Sequence, residues 1–208
     1  MQENNVINLS GIVDSEISLS HKIYNETFYK FNIKVKRLSE TFDILPVTVS
    51  EKLIDKDLIE KGKKLNISGQ IRSYNNYNVE DGKTKLILTI FAKQINFEIQ
   101  NENPNQAFLN GYICKMPIYR TTPFGREITD ILLAVNRSHN KSDYIPCIAW
   151  GRNAKFASRL NISDNIKIEG RMQSREYQKK LLSGEILNKV AYELSVSKID
   201  LYKNNENK

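Results

Sequence analysis

Residues 165–177 read Asn-Ile-Lys-Ile-Glu-Gly-Arg-Met-Gln-Ser-Arg-Glu-Tyr, and residues 64–74 read Lys-Leu-Asn-Ile-Ser-Gly-Gln-Ile-Arg-Ser-Tyr. In the first stretch Ile166, Ile168, Gly170, Met172 and Ser174 alternate with Lys167, Glu169, Arg171, Gln173, Arg175 and Tyr177. A period of two marks a strand with one buried face, because successive side chains leave a pleated backbone on opposite sides. The second stretch repeats the pattern: it buries Leu65, Ile67, Gly69, Ile71 and Ser73 and exposes Lys64, Asn66, Ser68, Gln70, Arg72 and Tyr74.

The repetition extends over the whole chain. At an offset of 101, Ile67 falls on Ile168, Gly69 on Gly170 and Ser73 on Ser174. At an offset of 100, Asn5 falls on Asn105, Leu9 on Leu109, Gly11 on Gly111, Val35 on Val135, Arg37 on Arg137, Asp43 on Asp143 and Pro46 on Pro146. Two copies of this length indicate domain duplication rather than a solenoid, whose units are shorter and more numerous. The polar run from Gln100 to Gln106, centred on Pro104, suits a linker. The expected organisation is a divergent N-terminal domain over 1–99, a linker at 100–106, a C-terminal domain over 107–202 and a short polar tail at 203–208.

Other segments also read as strands. Leu132–Asn136 and Tyr144–Trp150 form a hairpin pair joined by the polar stretch Arg137 to Asp143, and Lys189 to Leu201 reads as a closing strand. One helix-like segment falls between the third and fourth strands of each copy. In the second it is Arg152 to Leu160, with Phe156, Ala157 and Leu160 on one side; in the first it is Glu51 to Ile59, with Ser50 as N-cap. The expected fold is all-β: two tandem five-stranded Greek-key barrels of OB type, each with one short helix after its third strand. Periodicity alone leaves other barrels open.

The composition fits a folded protein, with 40% hydrophobic and 26% charged residues among 208. No apolar run approaches the ~20 residues of a membrane span, and the start, Met-Gln-Glu-Asn-Asn, does not read as a secretory signal, so a cytoplasmic protein is expected. Cys114 and Cys147 stand at no metal-ligand spacing and read as reduced, partly buried thiols. The net charge of +7 is uneven: residues 1–100 hold 14 Lys and Arg against 13 Asp and Glu, and residues 101–208 hold 17 against 11. A basic second half points towards a polyanion, though many basic proteins bind none.

Four motifs of the second copy resemble bacterial single-stranded DNA-binding proteins. They are Pro-Ile-Tyr-Arg-Thr-Thr-Pro-Phe-Gly (117–125), Leu-Ala-Val-Asn-Arg-Ser (133–138), Asp-Tyr-Ile-Pro-Cys-Ile-Ala-Trp-Gly (143–151) and Glu169 to Tyr177. The first copy carries an eroded version, chiefly through its similarity to the second. The resemblance implies an OB fold that grips single strands on stacked aromatics and basic side chains. It also implies four barrels per working assembly, hence a homodimer of this two-barrel chain. Proteins of that family usually end in an acidic tip with Pro-Phe that recruits repair and replication enzymes; this sequence ends Lys-Asn-Asn-Glu-Asn-Lys, so recruitment by that route is not expected.

The expected DNA surface follows from the strand Tyr144–Trp150. Ile145, Cys147 and Ala149 suit a tight interior, which leaves Tyr144, Pro146, Ile148 and Trp150 facing out. Large exposed aromatics want a flat cover, and a nucleobase supplies one, at roughly 1–3 kcal/mol per stacked base. The other reading is that Trp150 packs under the following helix or in a dimer interface. Tyr177 ends the exposed row of Arg171, Gln173 and Arg175 and is followed by Lys179 and Lys180 at a hairpin tip; Arg120, Arg137 and Arg152 lie in or beside the motifs. These cations are phosphate contacts by the same logic, and solvated surface residues otherwise. The first copy has Ile44 and Ser50 where the second has Tyr144 and Trp150, and keeps only the cluster Arg72, Tyr74 and Tyr77, for which turn or packing roles remain open. A weaker or specialised first barrel is expected.

Two further functions compete. Catalysis would need a constellation that is missing: His21 and His139 are the only histidines, neither is repeated in the other copy, and no phosphate loop, nucleophile elbow or zinc spacing appears. No enzyme, cofactor or metal site is therefore expected. Stacking surfaces do not separate DNA from RNA, so an RNA-binding or primosome-type OB protein stays open, as does an OB assembly module whose aromatics form an interface.

Overall fold

The computed structural model describes residues 3–37, 39–78, 82–97, 105–180 and 184–202. The expected linker at 100–106 lies outside them up to residue 104, and its last two residues open a strand; the tail at 203–208 lies outside as well.

The first half contains β1 (Asn5–Val13), β2 (Ser18–Ile23), β3 (Glu26–Lys36), β4 (Phe42–Ser50), β5 (Lys64–Asn78) and β6 (Lys83–Asn96). The second contains β7 (Asn105–Thr121), β8 (Glu127–Arg137), β9 (Lys141–Trp150), the helix α1 (Gly151–Ala157), β10 (Asn165–Lys180) and β11 (Ile186–Leu201). In the first half β1 pairs with β3 and β5, β3 with β4, β5 with β6, and β4 with β6 in parallel, which closes a five-stranded barrel with β2 as an extra strand on β3. In the second half β7 pairs with β8 and β10, β8 with β9, β10 with β11, and β9 with β11 in parallel. Both circuits have the OB order. The second half needs no separate counterpart of β2, because β7 runs on for 17 residues through two irregularities, after Ile113 and after Lys115.

The alternation read from the sequence supplies the cores. Ile7, Ile33, Leu45, Leu65, Ile67, Ile71 and Ile90 fill the first barrel, and Leu109, Leu133, Ile145, Ile166, Ile168, Met172 and Leu194 the second, none more than 2% exposed. Each such side chain contributes roughly 1.5–3 kcal/mol by leaving water. The repeated glycines sit where neighbouring backbones come closest. A Cβ on Gly170 would lie 2.3 Å from the Ser195 carbonyl oxygen, and one on Gly69 2.2 Å from that of Phe91, each beside a bulge in its ladder.

The halves join through one antiparallel ladder, β1 against β7, with Asn5 opposite Leu109, Ile7 opposite Ala107 and Leu9 opposite Asn105. Repeated residues clasp both sides of this seam. Buried Asp43 accepts the Ser174 backbone N–H at 2.7 Å, and buried Asp143 accepts that of Ser73 at 2.7 Å. In return the Ser174 hydroxyl accepts from the Ile44 N–H at 3.2 Å and the Ser73 hydroxyl from the Tyr144 N–H at 2.7 Å. Asn5 and Asn105 each bridge a backbone N–H and carbonyl of the long strand beside them, at Ile71 and Met172 respectively.

The two expected helices come out differently. In the second half α1 forms, burying Ala154, Ala157 and, just beyond it, Leu160, while the Thr129 hydroxyl donates to the Ala154 carbonyl at 2.8 Å. Phe156 points to solvent, at 38% exposure, rather than joining that face. In the first half the helix expected over Glu51 to Ile59 is a three-residue 3-10 turn, Lys56–Leu58, capped by Asp55 rather than Ser50. The segment has no small residues like Ala154 and Ala157 to seat a helix against the barrel, and Asp55 ties up the Asp57 N–H at 3.0 Å, the local competition that ends helices.

Candidate nucleic-acid interface

On the outer face of the second barrel, β9, β10 and β11 line a groove of about 440 Å³. Trp150, half-buried, stands in it together with Arg126, Arg171, Arg175 and, from across the seam, Arg37. Trp150 reaches this wall because it ends β9 opposite Ile128, just before Gly151 turns the chain into α1. Its ring therefore lines a groove rather than packing beneath the helix.

The groove is electropositive, with one carboxylate on its lining. Glu193, 8% exposed, accepts from the Gln173 amide at 2.8 Å and faces Arg175 at 3.5 Å. Arg37 is held by Asp43, which raises its pKa chiefly through that hydrogen bond, and it donates to the Ser174 carbonyl at 2.8 Å. Arg126 and Arg171 pair with no carboxylate among the described residues, so their charge faces the groove. Beyond Arg175 the face continues to Tyr177, whose ring centroid lies 5.8 Å from the Arg175 guanidinium carbon.

A second cleft of about 270 Å³ lies at the seam, lined by Tyr74, Leu86, Arg137, Lys141, Ser142 and Tyr144. Tyr144 and Tyr74 are 43% and 55% exposed. They meet there because the Tyr144 backbone is hydrogen-bonded to Ser73, the neighbour of Tyr74. On the other side of Arg137 a polar pocket of about 200 Å³ contains Arg72, Lys93 and Asn136. Arg72 and Arg137 share Asp143, at 3.2 and 3.3 Å. Burial, then the charge of Arg137, pulls the Arg72 guanidinium below its ordinary value.

The residues expected at the interface are thus divided. Trp150, Arg171 and Arg175 share the groove and Tyr177 extends it; Tyr144, Tyr74 and Arg137 share the seam cleft, and Arg72 lies behind it. Arg120 stands apart, spent on a two-point salt bridge to Asp130 at 2.6 and 3.1 Å. Arg152 is exposed on α1, and Tyr77 is exposed near the end of β5 opposite Thr84. Lys179 and Lys180 end β10 opposite Leu187 and Ile186; Lys180 is exposed, and the side chain of Lys179 lies outside the described residues.

Two outward assignments need correcting. Ile148 is 4% exposed because β11 runs beside it in parallel and β8 flanks it on the other side. Gln173 is 8% exposed, sealed by its bond to Glu193. Sequence reasoning also missed Arg126 and Arg37. Arg126 directly follows the motif ending at Gly125, whereas Arg37 is brought in by the seam alone. No cluster of three or more potential metal ligands occurs among the described residues. No helix among them is long and apolar enough to cross a membrane.

Comparison with known proteins places these features. The model of the single-strand binding protein family matches residues 104–202. Single-stranded DNA-binding protein 1 of Staphylococcus aureus (strain COL) is 35% identical over 81 residues, covering 36% of this chain and 48% of that protein. Single-stranded DNA-binding protein A of Bacillus subtilis (strain 168) is 33% identical over 81 residues, covering 36% and 47%. The chain therefore spans about half the length of the curated relatives it matches. Over nearly the whole chain, the crystal structure of wild-type single-stranded DNA binding protein from Thermus aquaticus superposes with a TM-score of 0.72 at 18% identity, covering 98% of this chain and 95% of that one. That likeness shows the two-barrel fold. By its motifs, its relatives and its barrel, the second half of this chain, residues 104–202, is a domain of the single-strand binding protein family.

Proposed function

We propose that this chain is a non-catalytic, cytoplasmic protein that binds single-stranded DNA without regard to sequence and protects it during replication, recombination or repair. Its units would be barrels over residues 1–99 and 107–202. The observation that carries this reading is the Trp150 groove: an aromatic ring among arginines, two of them unneutralised, leading on to Tyr177. Bases stack on rings of any sequence while guanidiniums take phosphates, and this arrangement supplies both. The names of the relatives point the same way.

The working assembly in this reading is a homodimer with four barrels. The outer face of the seam sheet supports it: Ile12 and Tyr112, equivalent residues on β1 and β7, are 38% and 42% exposed, and a second copy covering this face would bury both.

The test is a titration of Trp150 fluorescence, the chain's only tryptophan, with oligo-dT, oligo-U and duplex DNA at several salt concentrations. Quenching by oligo-dT, with affinity falling steeply as salt rises, is the expected result. Preference for oligo-U would make this an RNA-binding protein, and absence of quenching would return the aromatics to an assembly role. Sedimentation of the free protein reads the dimer directly.

A further inference from the structure

The two barrels place their aromatics on different sides of the same rung. In the second barrel Trp150 of β9 stands opposite Ile128 of β8; at the matching rung of the first, Ser50 of β4 stands opposite Phe28 of β3. A second exchange occurs on the closing strand. Ile148 lies beside Ser195 in the second barrel, whereas Thr48 lies beside Phe91 in the first. At the Trp150 rung the first barrel therefore keeps an aromatic, Phe28, on the neighbouring strand, and it adds Phe91 on the closing strand.

These rings form a chain of contacts, stacked between His21 and Phe28 and tilted by 41° between Phe28 and Phe91. His21 of β2 lies opposite Phe28 with ring centroids 4.7 Å apart and planes 8° from parallel. Phe28 lies 5.9 Å from Phe91, and the Arg72 guanidinium carbon 5.8 Å from the Phe91 centroid. Phe28 belongs to the outward row of β3, yet these neighbours cover it to 8% exposure. His21 is exposed, with one ring face against Phe28 and its Nδ1 held by the Ser20 hydroxyl at 2.9 Å. Lys30, in the same outward row as Phe28, is exposed and pairs with no carboxylate among the described residues. The nearby carboxylate of Glu26 is occupied by the Ser50 hydroxyl and by Lys52 at 3.0 Å.

We infer that the first barrel takes a nucleobase of single-stranded DNA on the open face of His21, with Lys30 beside it for phosphate. This rests on the DNA-binding reading of the chain and adds a site to it. The same strand then meets Trp150 on β9 of one barrel and an imidazole plate on β2 of the other. Stacking requires a flat π-face and no particular base, which a histidine held parallel to a phenylalanine provides.

The chain's two histidines make the test direct. In the full-length protein, the His21 imidazole proton signals are followed by NMR during titration with an oligo-dT long enough for two barrels, at ~4–16 nucleotides each. The expected result is a shift of the His21 signals in step with Trp150 quenching, His21→Ala weakening that complex by about 5- to 100-fold, and His21→Phe restoring it. An oligo-dT short enough for one barrel should bind His21→Ala and wild type alike at Trp150. Quenching of Trp150 with the His21 signals unmoved overturns the inference and leaves His21 as a cap on Phe28, whatever the stability of the variants. Absence of quenching with any oligo-dT defeats the DNA-binding reading itself.

Discussion

Ile7 stands directly opposite Ala107 in the ladder that joins the two halves, and these two residues occupy the same position in their respective copies. A residue paired with its own duplicate lies on a two-fold axis, as in an isologous dimer, except that both partners here belong to one chain. Asp43 with Ser174 and Asp143 with Ser73 then fall symmetrically on either side. The sequence repeat is thus concentrated at the join, where each substitution would have to suit both barrels.

Asp143→Ala should leave Arg72 and Arg137 facing each other without the carboxylate they share. The expected cost is about 2–3 kcal/mol, below the figure for a wholly buried pair because both guanidiniums stay partly hydrated. Urea unfolding measures it. In the wild type the same experiment should give one transition by both Trp150 fluorescence and circular dichroism, because the ladder and two clasps couple the barrels. Two separated transitions would contradict that coupling.

Arg126→Gln and Arg171→Gln should each lower the slope of log affinity against log salt for oligo-dT by about 1, the effect of losing one phosphate contact. Arg120→Gln should leave it nearly unchanged, because Arg120 is bound to Asp130. Glu193→Gln should act in the opposite direction: it removes the groove's carboxylate and frees Arg175, so binding tightens at low salt and the slope steepens.

Strand alternation and duplication were legible because they depend on local periodicity. Legibility ended where a neighbouring strand decided the outcome. Ile148 and Trp150 alternate identically along β9 and both line the groove, yet Ile148, with β11 paired beside it, is 4% exposed, whereas Trp150, past that pairing, is half-buried. Tyr144 reads as a partner for Trp150 by sequence, whereas the seam delivers it to Tyr74. Ser50 reads as a lost platform until its rung partner Phe28 comes into view.

The repeated glycines yield a stability prediction. Gly170→Ala would force a methyl group to within 2.3 Å of the Ser195 carbonyl oxygen, which belongs to the backbone of β11 and cannot rotate away. The β10–β11 ladder must then open at its bulge, at a cost of roughly 1–3 kcal/mol. Thermal unfolding would show it as a lowered midpoint. Gly184→Ala, in open space but at positive φ, should cost less.

Burial raises the pKa of both thiols, and that of Cys147 far more than that of Cys114. Both should stay protonated and slow to alkylate at pH 8 in the native protein, Cys147 the slower, and react together once the chain is unfolded in urea. The sign for stability follows. The native state holds these protons more tightly than the unfolded chain does, so stability is complete below the ordinary thiol value of ~8.5 and declines as pH rises past it.

Tyr74 and Tyr144 come from different halves yet line one cleft with Arg137 and Lys141. If a base enters between them, each ring's contribution depends on the other, since removing one wall lets the base move off its partner. Tyr74→Ala and Tyr144→Ala should then be non-additive in oligo-dT affinity, with an interaction energy of about 0.5–1.5 kcal/mol from the double-mutant cycle. Trp150→Ala combined with Tyr74→Ala should be additive, because those residues line separate cavities. Additivity in both cycles would mean that the two tyrosines bind independently, and the seam would then hold two surfaces rather than a single site built by both halves.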